Sequence, residues 1–195
     1  MSKSETTLNL AFAPLTPDTW EDLETVFGPR GGTGGCWCMY WRLKNSEFEE
    51  MKGDGNKQAL HKIVSSGEVP GILAYHDGLP VGWCSIAPRQ AFPRLGRSRV
   101  LKPVDEEQVW SVVCFFIVKG YRRQGLSEAL LQAAVDYAKS QGAKIIEGYP
   151  VEPKNDVMPD VFAWTGFSNA FSQAGFQEVA RRSETRPFMR FFVED

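Results

Sequence analysis

The feature that most constrains the fold is one uninterrupted segment in which an apolar strand, a basic turn and an amphipathic helix follow one another. Residues 109–118 are mostly β-branched and aromatic, which is typical of a buried central strand. Residues 120–125 form a glycine-containing turn, and residues 126–141 carry apolar side chains at helical spacing, ended by Gly142. Another strand at 144–151 completes a strand–helix–strand unit, whose strands we expect to be parallel with a right-handed crossover.

The remaining segments predict short elements on either side of this unit. The predicted strands cover residues 8–13, 71–75, 80–87, 177–182 and 188–193, with Asp77-Gly78 as a hairpin signal. Predicted helices run from Trp20 to near Gly28, from Ser46 through 64 with a pause at 53–55, and briefly within 162–174. Residues 89–103 are basic and predict an exposed, irregular excursion. We therefore expect one domain over residues 1–195 of the α/β class (α+β type), with a mixed, mostly antiparallel twisted sheet and helices on both faces.

Composition narrows the functional classes. The chain has 195 residues, 43% hydrophobic and 24% charged, which is typical of a globular protein. A net charge of -2 without a long basic run argues against a nucleic-acid partner. No segment resembles a signal peptide or a membrane span, so we expect a cytoplasmic location and no membrane partner. The four cysteines are then expected to be free thiols, and a homodimer is a further hypothesis.

The turn between the central strand and the helix has the properties of an anion site. The first turn of a helix has unsatisfied amides and the positive end of the helix dipole. Gly125 allows a phosphate to approach the backbone, Ser127 offers a hydroxyl, and Arg122 and Arg123 add charge. The alternative is an ordinary basic surface turn, since neither G-x-x-x-x-G-K-[ST] nor G-x-G-x-x-G is present.

In its context, the turn resembles the signature of the GNAT superfamily, the acyl-CoA-dependent N-acetyltransferases. That signature is Arg or Gln, two residues, Gly, one residue, then Gly or Ala. Arg122, Gly125 and Ser127 stand at these positions, with Ser in place of the last small residue. The neighbouring strand and helix, the strand at 145–149 and the closing Gly175-Phe176 follow at the family's usual distances. The resemblance covers about residues 109–193 and extends more weakly back to residue 8.

The resemblance implies a cosubstrate, acetyl-CoA, and direct transfer of its acetyl group to a primary amine of a small molecule or protein. The two central strands would diverge, and the pantetheine arm would pair with Phe115, Phe116 and Ile117 like an added strand. A backbone N–H of the first strand would polarise the thioester carbonyl. The pyrophosphate would bind the turn, which makes the other cofactor-binding residues Arg122, Arg123, Gln124, Gly125, Leu126 and Ser127.

The residues expected to move protons depart from the family pattern. Phe171 stands where many relatives carry a tyrosine acid, and Ser111 stands near the position of a carboxylate base in some relatives. We predict Glu147 and Tyr149 as the catalytic pair, although a solvated surface role for Glu147 is equally open. The alternatives are unassisted departure of the thiolate, or other residues, namely Glu152, Asp160, Ser168 and Ser172.

Residues 31–42 combine glycines, two cysteines and three large aromatic side chains. The resemblance places the acceptor wall here, so Trp37, Tyr40 and Trp41 are predicted to line an apolar, cation-attracting substrate pocket. Packing beneath the first helices is the alternative. Cys36 and Cys38 lack a second pair of zinc ligands, so no metal site is predicted and buried thiols are the default.

Two other classes of function stay open at this point. The first is a CoA-binding or ligand-sensing module without catalysis, suggested by Phe171 and Ser111. The second is a thiol or metal protein built around Cys36 and Cys38.

Overall fold

The computed structural model describes residues 9–153 and 163–194, and a seven-stranded sheet organises them. Across the sheet the strand order is β1-β2-β3-β4-β5-β7-β6. Neighbouring strands are antiparallel except β4 and β5, which are parallel, so the predicted mixed sheet is confirmed. The strands are β1 (Leu10–Pro14), β2 (Gly71–His76), β3 (Leu79–Pro88), β4 (Trp110–Ile117), β5 (Ile145–Gly148), β6 (Gln177–Arg181) and β7 (Pro187–Phe192).

Helices cover both faces of the sheet. They are α1 (Trp20–Phe27), α2 (Asn45–Glu50), α3 (Asp54–Ser65), α4 (Pro93–Arg97), α5 (Leu126–Ser140) and α6 (Ser168–Gln173). The apolar stripe of α5 packs with Ile72 and Ala74 of β2. The helices α1 and α3 pack with Leu73, the residue between these two in the strand. Because side chains alternate along a strand, these contacts lie on opposite faces. None of the helices in the described residues has the length and apolar character that crossing a bilayer requires.

Local signals in the sequence explain several connections. The predicted hairpin is confirmed, with positive φ at Asp77 (48°) and Gly78 (78°), as a tight two-residue turn requires. The prediction for residues 89–103 is wrong. They contain α4 and bury Phe92, Leu95 and Leu101, because apolar side chains spaced among the basic ones reach the core.

The parallel pairing of β4 with β5 is short and ends at Val112 and Gly148. Beyond it, Pro150 has no amide hydrogen to donate. A bridging segment, residues 164–168, instead lies between the two strands. Its Gly166 carbonyl accepts from the Val151 amide (2.8 Å), and the Trp164 carbonyl accepts from the Phe115 amide (2.6 Å). The two central strands therefore diverge.

The Phe171 ring packs tightly against Gly148, where an added Cβ would stand 1.9 Å from a ring carbon. We therefore predict that Gly148→Ala lowers the free energy of unfolding by about 2 kcal/mol or more through overpacking. Urea denaturation measures this change. The same substitution in the Phe171→Ala background should cost much less, because the clashing ring is gone. Gly96→Ala, whose added Cβ meets open space, is the control. Equal costs in both backgrounds would contradict the packing described.

Candidate active site

A pocket of about 400 Å³ opens beside the middle of β4, on the sheet face opposite α5. β4 contributes Cys114, Phe115 and Phe116, and the glycine-rich loop at 31–34 forms one wall. The remaining lining is largely aromatic, with one exposed cation at the rim, and includes Tyr40, Phe48, Trp164 and Lys52. This volume and lining are typical of a site for a small organic molecule.

The backbone of Phe115 connects the pocket with the gap between β4 and β5. Phe115 is the first of the three residues predicted to pair with pantetheine, and it lines the pocket. Its N–H donates to the carbonyl of Trp164 at 2.6 Å. Since β3 pairs with the opposite edge of β4, this amide is aimed into the gap. A carbonyl oxygen can therefore be bound at this point of the strand.

The predicted anion turn, residues 122–127, connects β4 with α5. Gly125 precedes α5 in the left-handed conformation, with φ 79°, and an added Cβ there would meet no protein atom within 4 Å. Arg122 Nε donates to the Ile117 carbonyl (2.8 Å), and Gln124 Nε2 donates to the Gly120 carbonyl (2.8 Å). These bonds fix the turn between β4 and α5. Its exposed glycine leaves room for an anion at the first amides of a 15-residue helix.

Ser127 and Leu126 begin the helix, and their side chains differ in exposure. Leu126 is buried in the core under α5, so only its backbone is available to a ligand. Ser127 is partly exposed, and Arg123 is exposed with a positive φ of 60°. The structure thus brings the six turn residues of the prediction together at one helix end.

The three aromatic residues predicted to line the substrate pocket have different locations. Tyr40 lines it, whereas Trp41 packs on Trp164 (ring centroids 5.7 Å apart) and lines a separate groove. The prediction for Trp37 is wrong, because its side chain is buried in the core and stacks on Trp20, with the ring centroids 6.2 Å apart. Its ring lies against Gly31, where an added Cβ would come within 2.0 Å of Nε1.

Glu147 and Tyr149 lie together in a buried charge network rather than at the pocket. Glu147 is 1% exposed. Its carboxylate accepts from Arg190 Nε (2.8 Å), from Arg89 Nη1 (2.9 Å) and from the Tyr149 hydroxyl (2.8 Å). The solvated surface role considered for Glu147 is therefore wrong, and neither residue lines the pocket. Their catalytic role stays a prediction, without an observed contact to the pocket.

The surroundings of Tyr149 also disfavour proton transfer. Burial, followed by the charge of Glu147, raises the pKa of Tyr149 well above its ordinary value. Ser111, the position of a base in some relatives, is fully buried with its hydroxyl 2.8 Å from that of Tyr149. The network extends to Asp105, which pairs with Arg190, and this hydrogen bond lowers the pKa of Asp105 to about 2.

The other described residues considered for proton transfer, and Phe171, which stands at the position of an acid, do not line the pocket either. Phe171 is fully buried and packs edge-on to Phe115 (6.1 Å). Ser168, Ser172 and Glu152 line a separate surface groove, where Glu152 pairs with an arginine. Asp160 lies outside the described residues.

Three of the four free cysteines lie beside the pocket. Cys36, Cys38 and Cys114 line it, and Cys38 Sγ accepts from Trp83 Nε1 at 3.0 Å. Burial, and then the proximity of Cys38, raises the pKa of Cys36 to about 11. Interaction with Cys38, and then burial, raises the pKa of Cys114 well above its ordinary value. Within residues 9–153 and 163–194, no group of three or more metal-binding side chains is arranged to hold an ion.

The sequence model of the acetyltransferase (GNAT) family matches residues 37–167, which include β4, the anion turn, α5 and part of the pocket lining. The chain belongs to this family. Its members use acetyl-CoA as the acetyl donor, so the predicted fold, family and cosubstrate are confirmed. No curated protein matches the chain in sequence.

Solved structures with the same fold cover almost the whole chain at low sequence identity. A GNAT acetyltransferase from Streptococcus agalactiae has a TM-score of 0.56 at 11% identity, covering 96% of this chain and 98% of that one. The PaiA N-acetyltransferase of Thermoplasma acidophilum, in complex with coenzyme A, has a TM-score of 0.53 at 13% identity, covering 95% and 100%. The NatC complex bound to Gag peptide and CoA has a TM-score of 0.52 at 9% identity, covering 95% and 99%.

Within this GNAT domain, sequence reasoning missed two groups of residues. The first group consists of the residues that bind Glu147. The sequence signal for this group was the presence of one charged residue inside each of two apolar strands. Glu147 of β5 and Arg190 of β7 stand opposite one another in the sheet register. The second is Trp164 with Phe48 and Lys52, which line the pocket from distant segments and left no local pattern.

We predict that Glu147→Gln lowers the free energy of unfolding by about 3 kcal/mol, because two buried arginine side chains lose their shared charged partner. Urea denaturation of the GNAT domain measures the loss. Glu178→Gln, which removes one charge from an exposed pair with Arg181, is the matched control and should change little. Similar small effects of both substitutions would show that the buried network does not hold the sheet together.

Proposed function

We propose that this GNAT protein transfers an acetyl group from acetyl-CoA to a primary amine by direct attack. The observation that carries the proposal is the position of Phe115, whose amide is aimed into the gap between β4 and β5. The same residue borders the pocket, and β4 runs from it directly into the anion turn. A long ligand with an acyl group at one end and phosphates at the other matches the order in which the pocket, the Phe115 amide and the anion turn follow one another along β4.

Acetyl-CoA would be held by the two segments that follow one another along the chain. The backbone of Phe115 to Ile117 would pair with the pantetheine arm, as in strand addition. The amides of residues 122–127 would bind the pyrophosphate, supported by the dipole of α5. The Phe115 N–H would donate to the thioester oxygen, and the Trp164 carbonyl that it now contacts would have to yield that position.

In the transfer itself, the amine nitrogen attacks the thioester carbon. A C–N bond forms, the C–S bond breaks, and CoA leaves as a thiolate. The attacking nitrogen loses its extra proton, and the thiolate gains one on its way to free CoA. A CoA thiolate can leave without a protein acid, because its thiol pKa is moderate.

Among the described residues that line the pocket, there is no carboxylate and no histidine. The raised pKa values of Cys36 and Cys114 disfavour the thiolate form of these two side chains. We therefore infer that the acceptor reacts as the free amine, which it reaches by losing its proton to water. Glu147 and Tyr149 are assigned a supporting role in holding β5 and β7.

A CoA-binding module without catalysis is the second candidate. The Phe115–Trp164 hydrogen bond and the buried Phe171 favour it, because one occupies the carbonyl site and the other replaces a proton donor. Release of CoA thiol above buffer hydrolysis, with a broad panel of amines, separates the two candidates. Amine-dependent turnover would exclude the module.

We predict that Gly125→Glu weakens acetyl-CoA binding by about 100-fold, because it adds a negative charge and a strained φ at the pyrophosphate site. Calorimetric titration with acetyl-CoA measures this change. Gly142→Glu is the matched control, since Gly142 has a similar φ of 84° and lies beyond the opposite end of α5. Equal binding by both variants would place the pyrophosphate elsewhere, and no binding by the wild type would overturn the proposed function.

We predict that kcat/KM rises by about ten-fold per pH unit until the pKa of the acceptor itself, because only the free amine reacts. Trifluoroethylamine and ethylamine test this, since fluorine lowers the amine pKa strongly at similar size. The inflection should move to lower pH for the fluorinated amine. An inflection at one common pH for both amines would reveal a base in the protein and contradict the prediction.

A further inference from the structure

The charged side chains around the pocket indicate which kind of amine it would accept. The pocket's described lining holds aromatic rings, thiols and one cation, Lys52, and no acidic side chain. An ammonium ion entering such a site loses water and gains no opposite charge, which is costly. A neutral, apolar acceptor loses much less.

Aromatic rings can attract cations, but the protein's own cations already contact two of the rings that line the pocket, those of Tyr40 and Phe48. The Arg94 guanidinium, which lines the separate groove beside Tyr40 rather than the pocket itself, stands 3.8 Å from the centre of the Tyr40 ring. Lys52 Nζ stands 5.8 Å from the centre of the Phe48 ring, and Arg94 is 6.0 Å from the same ring. Two positive charges at these faces repel a third. The cation-attracting role expected of Tyr40 from the sequence is therefore disfavoured, because its ring already contacts Arg94.

Lys52 has freedom to interact with a ligand at the pocket rim. It pairs with Glu49, but both side chains are about half exposed, at 47% and 52%. Exposed pairs of this kind contribute little energy and are readily exchanged. A negative group on the far end of an acceptor could thus bind Lys52, whereas a second positive group would be repelled.

Resting on the proposed function, we propose that the acceptor is a small primary amine with an aromatic or aliphatic body and no second positive charge. Lys52 is the residue that disfavours diamines, polyamines and basic peptides. A pocket of about 400 Å³ with an aromatic lining accommodates a body of this kind. Specificity then arises from repulsion of the wrong acceptor as well as contact with the right one.

Three acceptors with one common body test the proposal: para-methylbenzylamine, para-(aminomethyl)benzoate and para-xylylenediamine. They differ only in a neutral, negative or positive group opposite the amine. We expect kcat/KM for the diamine, per amine and at equal free-amine concentration, to be lower by about ten-fold or more than for the other two. A lysine-containing peptide should react more slowly still.

Lys52→Glu should shift the ratio of kcat/KM for the benzoate and the diamine by about 100-fold towards the diamine, because the rim charge is reversed. Lys62→Glu is the matched control, since it makes the same charge change at an exposed site on α3 that does not line the pocket. The control should leave the ratio unchanged.

Acetyl-CoA binding, measured by calorimetry on the same wild-type protein, distinguishes failure of the acceptor proposal from failure of the proposed function. If acetyl-CoA binds and the diamine or the peptide is preferred, or none of the amines reacts, the acceptor proposal is overturned and the cosubstrate site stands. An equal shift of the ratio in Lys62→Glu would also overturn it. If acetyl-CoA does not bind, the proposed function is overturned together with the acceptor proposal.

Discussion

The early end of the parallel pairing between β4 and β5 is the constraint on which the rest of the site depends. Pairing stops at Val112 and Gly148, and the chain then passes through Pro150, which cannot donate to a neighbouring strand. The carbonyl groups of the bridging segment accept hydrogen bonds from the amides of Val151, which follows β5, and of Phe115 in β4. As a result, β4 keeps a backbone edge that is not committed to β5, and this edge leads into the anion turn on α5.

The buried charge network stabilises the other side of this arrangement. Glu147 stands opposite Arg190 in the sheet and also binds Arg89, which follows β3 directly. Charged groups lose much hydration free energy when they are buried, so this network adds less stability than its short distances suggest. Its effect is on geometry, because each carboxylate oxygen has a fixed donor and the Tyr149 hydroxyl is held between Glu147 and Ser111. β5, β7 and the segment after β3 are thereby fixed relative to β4.

The fold could be predicted because its signals are local. The β-branched and aromatic run of β4, the helical spacing in α5 and the Asp77-Gly78 hairpin signal depend on neighbouring residues alone. The position of the turn between β4 and α5 belongs to this class, whereas its binding of an anion stays a prediction. The pocket does not belong to it, because Trp37 and Tyr40 are both aromatic residues of one loop and nothing local separates them. Trp37 turns inward because Gly31, which has no side chain, leaves a space for its ring.

Contacts between residues that are distant in the sequence explain the remaining errors of the sequence-based predictions. Arg89 belongs to a basic stretch that suggested an exposed surface, yet its charge is matched by Glu147, 58 positions later in the sequence. Trp164 reaches the pocket only because the bridging segment returns to β4. Neither contact has a periodic pattern, so a single sequence cannot reveal it. The exception is Arg190, since a charged residue inside an apolar strand requires a partner on the adjacent strand.

The lack of an acid in the described pocket lining links the chemistry of transfer to the choice of acceptor. A carboxylate near the amine would remove its proton, but it would also attract and hold the protonated form. In an apolar pocket flanked by Lys52 and Arg94, the charged form of an amine is disfavoured and its pKa is lowered on entry. In the proposed reaction, the bound acceptor would then more often be the free base, which is the form that attacks a thioester. The same surroundings that disfavour a second positive charge would therefore also favour the reactive form of the amine.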